Sequence, residues 1–262
     1  MSISTTEVVR LKEMLAEHAS NEKHIGYHIL PEYFNAWLKG SEQENKYVFF
    51  ERERFHFFKS HVDFSAKRVI DIGCNIGYFL FDILDAGAEK VTGYEGKASC
   101  GEFIRRAIAL RGAEDKFNFK NEYYQFNAST AHYDVGILLN VLHHLGDDFG
   151  STQLSIDNAR KLMLDHLNEL SRNVDTLIFQ IGFNWKGDRH ACLFEQGTKA
   201  ELIDFIRKGT SEHWDIQHIG IAEGSKTSIT YAPLSEKNSS RDDSLGEFLN
   251  RPLFILKSKQ SH

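Results

Sequence analysis

From Lys67 onward, short apolar runs alternate with longer amphipathic segments. Few folds accept that alternation, because each apolar run must be covered on both faces by the segments that follow it. The runs predict strands at Arg68–Ile72, Lys90–Tyr94, Phe117–Lys120, Tyr133–Leu139, Thr176–Ile181, Trp214–Ile221 and Leu253–Lys257, with Ser228–Leu234 as a candidate extra strand. Helices are expected near 76–86, 98–111, 153–172 and 198–208. Residues 1–64 carry helical spacing instead (Val8, Leu11, Leu15; Tyr33, Phe34, Trp37, Leu38; Phe50, Phe57, Phe58), predicting helices near 5–19, 31–39 and 46–61. The expectation is an α/β fold with a doubly wound, mostly parallel seven-stranded sheet, helices on both faces and a helical N-terminal extension. Its division would be 1–64 (extension or lid) and 65–262 (ligand-binding domain). Ser235–Glu247, polar and Ser-rich, reads as a loop.

The first predicted strand runs into Asp71-Ile72-Gly73-Cys74-Asn75-Ile76-Gly77-Tyr78-Phe79. Glycines after a strand permit positive φ and let a ligand approach the backbone, and the helix that follows offers unpaired N–H groups at the carboxyl edge of the sheet. A dinucleotide site would read G-x-G-x-x-G; here Asn75 stands at the third position, and Asp71 suits an ammonium or hydroxyl better than a diphosphate. A nicotinamide-dependent oxidoreductase is therefore disfavoured.

The turn resembles the first motif of the class I S-adenosylmethionine (SAM)-dependent methyltransferases, with Asn75 in place of the middle glycine. The second strand ends in Glu95, an acid 22 residues after Gly73. A carboxylate there can accept both ribose hydroxyls, the role this acid has in the family. Tyr133–Leu145 resembles the fourth motif, in which the strand end and the residues after it underlie the methionine part of SAM. The resemblance spans residues 67–145 in order. It implies a Rossmann-like methyltransferase fold, SAM as cofactor with S-adenosylhomocysteine as product, and Asp71, Gly73, Asn75, Gly77, Glu95 and Asn140 as cofactor contacts. Asn121, Glu122 and Tyr123 remain open as adenine contacts.

His143 and His144 sit just past the fourth strand, where an acceptor would dock. An imidazole titrates near working pH and could take the acceptor's proton; equally, either ring could anchor the loop. Trp185, Arg189 and His190, in a loop after the fifth strand, and Tyr47 and Arg52, before the first, are the substrate-binding candidates; the alternative is a charged surface loop for the first group and, for the stretch around Tyr47 and Arg52, a helix packing its aromatic stripe on the sheet. His24 and His28 are four apart but lack a third ligand nearby, so no metal site is expected.

Composition narrows the partners. Thirty-one Lys and Arg against thirty-seven Asp and Glu give a net charge of −6, and no Lys/Arg stripe stands out. On that ground the expected acceptor is a small polar molecule, methylated on O or N, and nucleic acid is disfavoured. The family also contains enzymes that alkylate the wobble uridine of tRNA. The chain is loosely similar to these through its G-C-N-x-G-Y-F turn and V-L-H-H element, and they form the alternative, beside a non-catalytic SAM-binding partner or sensor. Apolar runs are too short to span a membrane, Met1–Glu7 lacks the marks of a signal peptide, and three scattered cysteines suit a reducing compartment, so a cytoplasmic location is expected. Oligomeric state is left open.

Overall fold

The computed structural model describes residues 5–21, 29–35, 50–127, 131–225 and 227–260. The chain divides into two compact units, Met1–Tyr124 and Gln125–His262. Eight strands are present among the described residues, β7 at Ser228–Pro233 being the eighth, so the candidate extra strand is real.

The first unit contains α1 (Thr5–Asn21), α2 (Glu32–Asn35), α3 (Glu51–His61), β1 (Arg68–Ile72), α4 (Tyr78–Asp85), β2 (Lys90–Tyr94), α5 (Ala98–Arg111) and β3 (Phe117–Lys120). The three strands are parallel in the order β3-β2-β1, with Ile70 opposite Thr92 and Gly93 opposite Phe119. After its first residue β1 is buried throughout, as a strand covered on both faces must be. In α4 (YFLFDILD) six of eight side chains are buried, including the carboxylate Asp82. Rings hold the helices together: Phe79 of α4 meets Phe55 and Phe58 of α3, and Phe81 meets Phe34 of α2.

The second unit contains β4 (Tyr133–Leu139), α6 (Ile156–Glu169), β5 (Val174–Gln180), α7 (Lys199–Thr210), β6 (Trp214–Ser225), β7, α8 (Gly246–Leu249) and β8 (Leu253–Ser258). Here the order is β4-β5-β8-β6-β7. β4 and β5 are parallel, while β8, β6 and β7 form an antiparallel arm. The hydroxyls of Ser155 and Thr198 accept the amides of Asn158 and Glu201 at 3.3 and 3.2 Å, which sets where α6 and α7 begin. No described helix is long and apolar enough to cross a membrane.

Candidate functional site

In the first unit the turn after β1 holds Gly73, Asn75 and Gly77 at φ of 73°, 51° and 82°, three left-handed residues in alternation. Asn75 thus takes the conformation a middle glycine would take. Asparagine is among the few side-chain-bearing residues that visit this region readily, so the departure from the glycine pattern leaves the backbone path intact. The amides of Gly73 and Cys74 donate to the Tyr94 carbonyl at 2.9 and 3.0 Å, docking the turn against the end of β2.

Glu95 closes this arrangement. It is 8% exposed, and its two oxygens accept the amides of Asn75 (3.0 Å) and Lys97 (2.8 Å). One carboxylate therefore fixes both the glycine turn and the approach to α5. Beyond it Gly96 has no side chain for a reason: a Cβ there would lie 2.3 Å from the ring of Tyr123, which is 43% exposed. Asn121 is committed elsewhere, donating to the carbonyls of Glu95 and Lys97 at 2.7 and 3.1 Å and accepting from Arg105.

Asp71 lies one residue from the end of β1, 3% exposed. Burial, then the neighbouring Glu95 charge, push its carboxyl up to about 8 against a downward pull from Arg54. Arg54, on α3, is also 3% exposed, with its guanidinium 5.2 Å from the centre of the Phe79 ring. Arg52 points elsewhere: its Nε and Nη2 donate to Glu32 Oε1 at 2.8 and 2.6 Å on the surface. Tyr47, His24 and His28 lie outside the described residues.

In the second unit a hydrogen-bonded net joins the ends of β4, β5 and β8. Asn140, left-handed at φ 61°, donates its backbone amide to the Gln180 carbonyl at 2.8 Å and its side-chain amide to Gln180 Oε1 at 3.0 Å. Its Oδ1 accepts from Arg251 at 2.7 Å. Gln180, fully buried, donates to the Arg251 carbonyl at 3.0 Å. Arg251 is paired in turn with Glu247, which also accepts the Phe183 amide at 3.0 Å. Burial raises the Glu247 carboxyl, but the Arg251 charge and hydrogen bonds outweigh it and hold the group below its usual range.

His143 is 2% exposed, and its Nδ1 accepts the Gly182 amide at 3.2 Å. In the neutral ring that bond puts the proton on Nε2, so this imidazole is arranged to donate rather than to take a proton. The His144 ring lies against it, tilted by 40° with centroids 4.4 Å apart, and has its Nδ1 3.7 Å from Asp148. The loop after β5 folds back on these residues: Trp185 donates to the Leu145 carbonyl at 2.7 Å, and a Cβ on Gly187 would lie 3.8 Å from the His144 ring. Trp185 and the histidines thus form one neighbourhood. Arg189 and His190 sit exposed at the loop tip, where the Asp188 carboxylate accepts the His190 amide at 2.9 Å.

Sequence reading passed over Arg54, Gln180, Glu247 and Arg251. Glu247 and Arg251 are four apart, but Glu247 closes a stretch that reads as a loop and Arg251 lies beyond the short helix Gly246–Leu249, so helical spacing did not point to the pair. No group of three His, Cys, Asp or Glu able to hold a metal occurs among the described residues.

No protein-family model matches the chain. Among solved structures it is similar to StiE O-MT residues 961–1257 (TM-score 0.53, 14% identity, 90% of this chain and 85% of that one). It is also similar to WbdD (TM-score 0.55, 14% identity, 93% of this chain and 46% of that one). The chain has the class I methyltransferase fold. Among curated relatives it is 29% identical over 139 residues to a tRNA U34 carboxymethyltransferase from Campylobacter curvus, covering 50% of this chain and 45% of that protein. It is 25% identical over 181 residues to the protein of the same name from Campylobacter lari (63% and 54%), and 31% identical over 80 residues to that from Nautilia profundicola (28% and 26%). The matches thus span about half or less of these relatives' length.

These relatives, named for a tRNA, correct the expectation of a small-molecule acceptor with nucleic acid disfavoured. The error has a physical origin. Net charge sums over the whole chain, whereas phosphate recognition depends on a few local cations, and a total of −6 does not report where Lys186 and Arg189 stand.

Proposed function

We propose that the chain is an S-adenosylmethionine-dependent enzyme that alkylates tRNA at the wobble uridine. The observation that carries the cofactor half of this reading is the left-handed Gly73–Asn75–Gly77 turn clamped by the buried Glu95 carboxylate. A buried, acceptor-only carboxylate held in place by two amides is preorganised to accept ribose hydroxyls, and the Tyr123 ring beside Gly96 offers a flat face for a base. Asp71, buried on the strand that feeds the turn, supplies a hydrogen-bonding carboxyl for the cofactor's ammonium and a full negative charge once it ionises near pH 8. Asn140, held by Gln180 and Arg251, supplies a rigid contact.

When bound, the cofactor brings an electrophilic carbon on sulfonium sulfur; what the protein adds is alignment and exclusion of water. His143 serves by holding the Gly182 backbone and donating from Nε2, while His144 is the better-placed proton acceptor. Trp185, Lys186, Arg189 and His190 form the acceptor-facing loop, with an aromatic for a base and cations for phosphates. The Lys186 ammonium lies 4.2 Å from the centre of the Trp185 ring, so the loop carries its cation beside its aromatic, and Arg189 is exposed at the loop tip.

The test is transfer of label from methyl- and carboxymethyl-bearing sulfonium donors, run side by side, into bulk tRNA, followed by mapping of the labelled nucleotide. Label at position 34 is expected. tRNA binding should weaken steeply with salt, with the slope reduced by about one in Arg189→Gln, the value for one lost phosphate contact. Failure to label or bind tRNA would overturn the acceptor assignment.

A further inference from the structure

Gly182, two residues past β5, is approached by two polar groups: a Cβ there would lie 3.0 Å from His143 Nε2 and 3.1 Å from the guanidinium carbon of Arg251. Arg251 thus stands at the ends of β4 and β5, beside Asn140, yet its charge is already matched. Its Nε donates to both Glu247 oxygens at 3.1 Å, its Nη2 donates to Glu247 Oε2, and its Nη1 donates to Asn140 Oδ1 at 2.7 Å. A guanidinium receives a carboxylate side-on, through a pair of N–H groups. Glu247 fills the Nε–Nη2 edge, and Asn140 takes a donor from the other. Burial raises the Glu247 carboxyl, but the Arg251 charge and hydrogen bonds outweigh it, so the pair is ionised at neutral pH and carries no net charge. Arg241, 5.3 Å from the centre of the Phe183 ring, is likewise paired, with Asp243 at 2.7 Å.

We propose that Glu247 determines which sulfonium donor the chain accepts: by filling and neutralising Arg251 it admits the methyl-bearing donor and turns away the carboxymethyl-bearing one. The inference rests on the reading of Asn140 as a contact to the methionine part of the cofactor, which brings Arg251 to the side of the transferred group. The two donors differ by one carboxylate, on the carbon that leaves sulfur. With either donor the bond from sulfur to that carbon breaks and its electron pair stays on sulfur. The carbon joins the acceptor's nucleophile, whose proton departs to solvent or a base. An unoccupied Arg251 would meet the extra carboxylate with a charged, two-pronged contact. With Glu247 in that place, the incoming carboxylate finds a like charge instead, and like charges at close range oppose each other. A methyl group meets neither effect. The chain thus rejects one donor by a competitor built into its own sequence, not by size.

The experiment is calorimetric titration, without tRNA, of S-adenosylmethionine, its S-carboxymethyl counterpart and S-adenosylhomocysteine into wild type, Glu247→Gln, Arg251→Met and the double variant. Wild type should bind S-adenosylmethionine at least about tenfold more tightly than the carboxymethyl donor. In Glu247→Gln the carboxymethyl donor alone should gain, by about 10–100-fold, with the other two ligands within about threefold of wild type. Adding Arg251→Met should erase that gain. Arg251→Met by itself should widen the preference for the methyl donor, because it leaves the Glu247 charge unpaired. A gain of binding cannot come from a damaged fold, and Gln keeps an acceptor for the Phe183 amide. If Glu247→Gln does not fold, Glu247→Ala takes its place. Equal gains for all three ligands would mean that Arg251 faces the amino-acid carboxylate they share. An unchanged ratio of the two donors would mean that Glu247 has no part in the choice. Either result overturns the proposal. Wild type that binds S-adenosylhomocysteine but favours the carboxymethyl donor overturns it too, and leaves the cofactor reading intact. Should wild type bind none of the three, the cofactor reading fails and the proposal falls with it.

Discussion

Replacing Glu95 by Gln tests the structural and the binding argument at once. The carboxylate accepts one backbone amide on each oxygen, from Asn75 at 3.0 Å and Lys97 at 2.8 Å. A carboxamide has one acceptor oxygen, so either amide is left facing an NH2 group. Leaving a buried donor unsatisfied costs about 1–3 kcal/mol, and converting the surviving bond from charged to neutral costs about 1 kcal/mol more. The variant should therefore be destabilised by about 2–4 kcal/mol, which for a chain of this size lowers Tm by roughly 5–15 °C. Thermal unfolding followed by near-ultraviolet circular dichroism reads this directly. Calorimetry on the folded fraction should show S-adenosylhomocysteine bound about 10–100-fold more weakly, the equivalent of one to two charged hydrogen bonds. A Tm within a degree of wild type would mean that water satisfies both amides and that the clamp is not structural. Lost stability with undiminished affinity would confine Glu95 to holding the turn.

Two further outcomes follow from backbone and burial. Asn75→Gly should unfold within about 0.5 kcal/mol of wild type, because glycine adopts φ 51° freely, whereas Asn75→Ala should lose about 1–2 kcal/mol in a urea titration. Equal effects of the two would mean that the Asn75 side chain, not its conformation, matters. Asp82, buried beneath α2, is pushed up by burial to about 7 although Tyr78 and the Glu32 amide pull it down. Its folded value lies above the ordinary carboxyl range, so the folded state binds the extra proton and stability is lost as pH rises from about 4 through about 7. Asp82→Asn should remove a few kcal/mol of that loss, making the variant relatively more stable at pH 8 than at pH 5; a difference constant across pH would refute it. Asp71 acts with the same sign and its slope should persist in that variant.

The strands of the first unit have the bounds their apolar runs predict, and in β1, buried after its first residue, a run covered on both faces leaves little choice of length. The glycine turn was legible too, since Asn75 tolerates the backbone that the pattern requires. Burial of charge was not. Arg52 and Arg54 look alike in sequence, yet two residues on a helix point nearly opposite ways, so Arg52 meets Glu32 at the surface while Arg54 enters the core. Which of them faces inward depends on how α3 docks, and that is decided by Phe55 and Phe58 meeting Phe79 across a distance that local patterning does not encode. The Glu247–Arg251–Asn140 net was hidden similarly, because it joins residues 111 positions apart. Acceptor type was misjudged from a sum of charges, a quantity that discards position.

The strand order of the second unit carries a consequence for synthesis. β8 is made after β6 and β7, yet it lies between β5 and β6, pairing with both. While the ribosome is still short of Leu253, the β6–β7 hairpin has nowhere to attach, and the exposed flank of β5 offers Leu177 and Phe179 to any passing strand. The nascent chain must therefore hold an open edge through the translation of some seventy residues, the interval in which a chaperone would have most to protect.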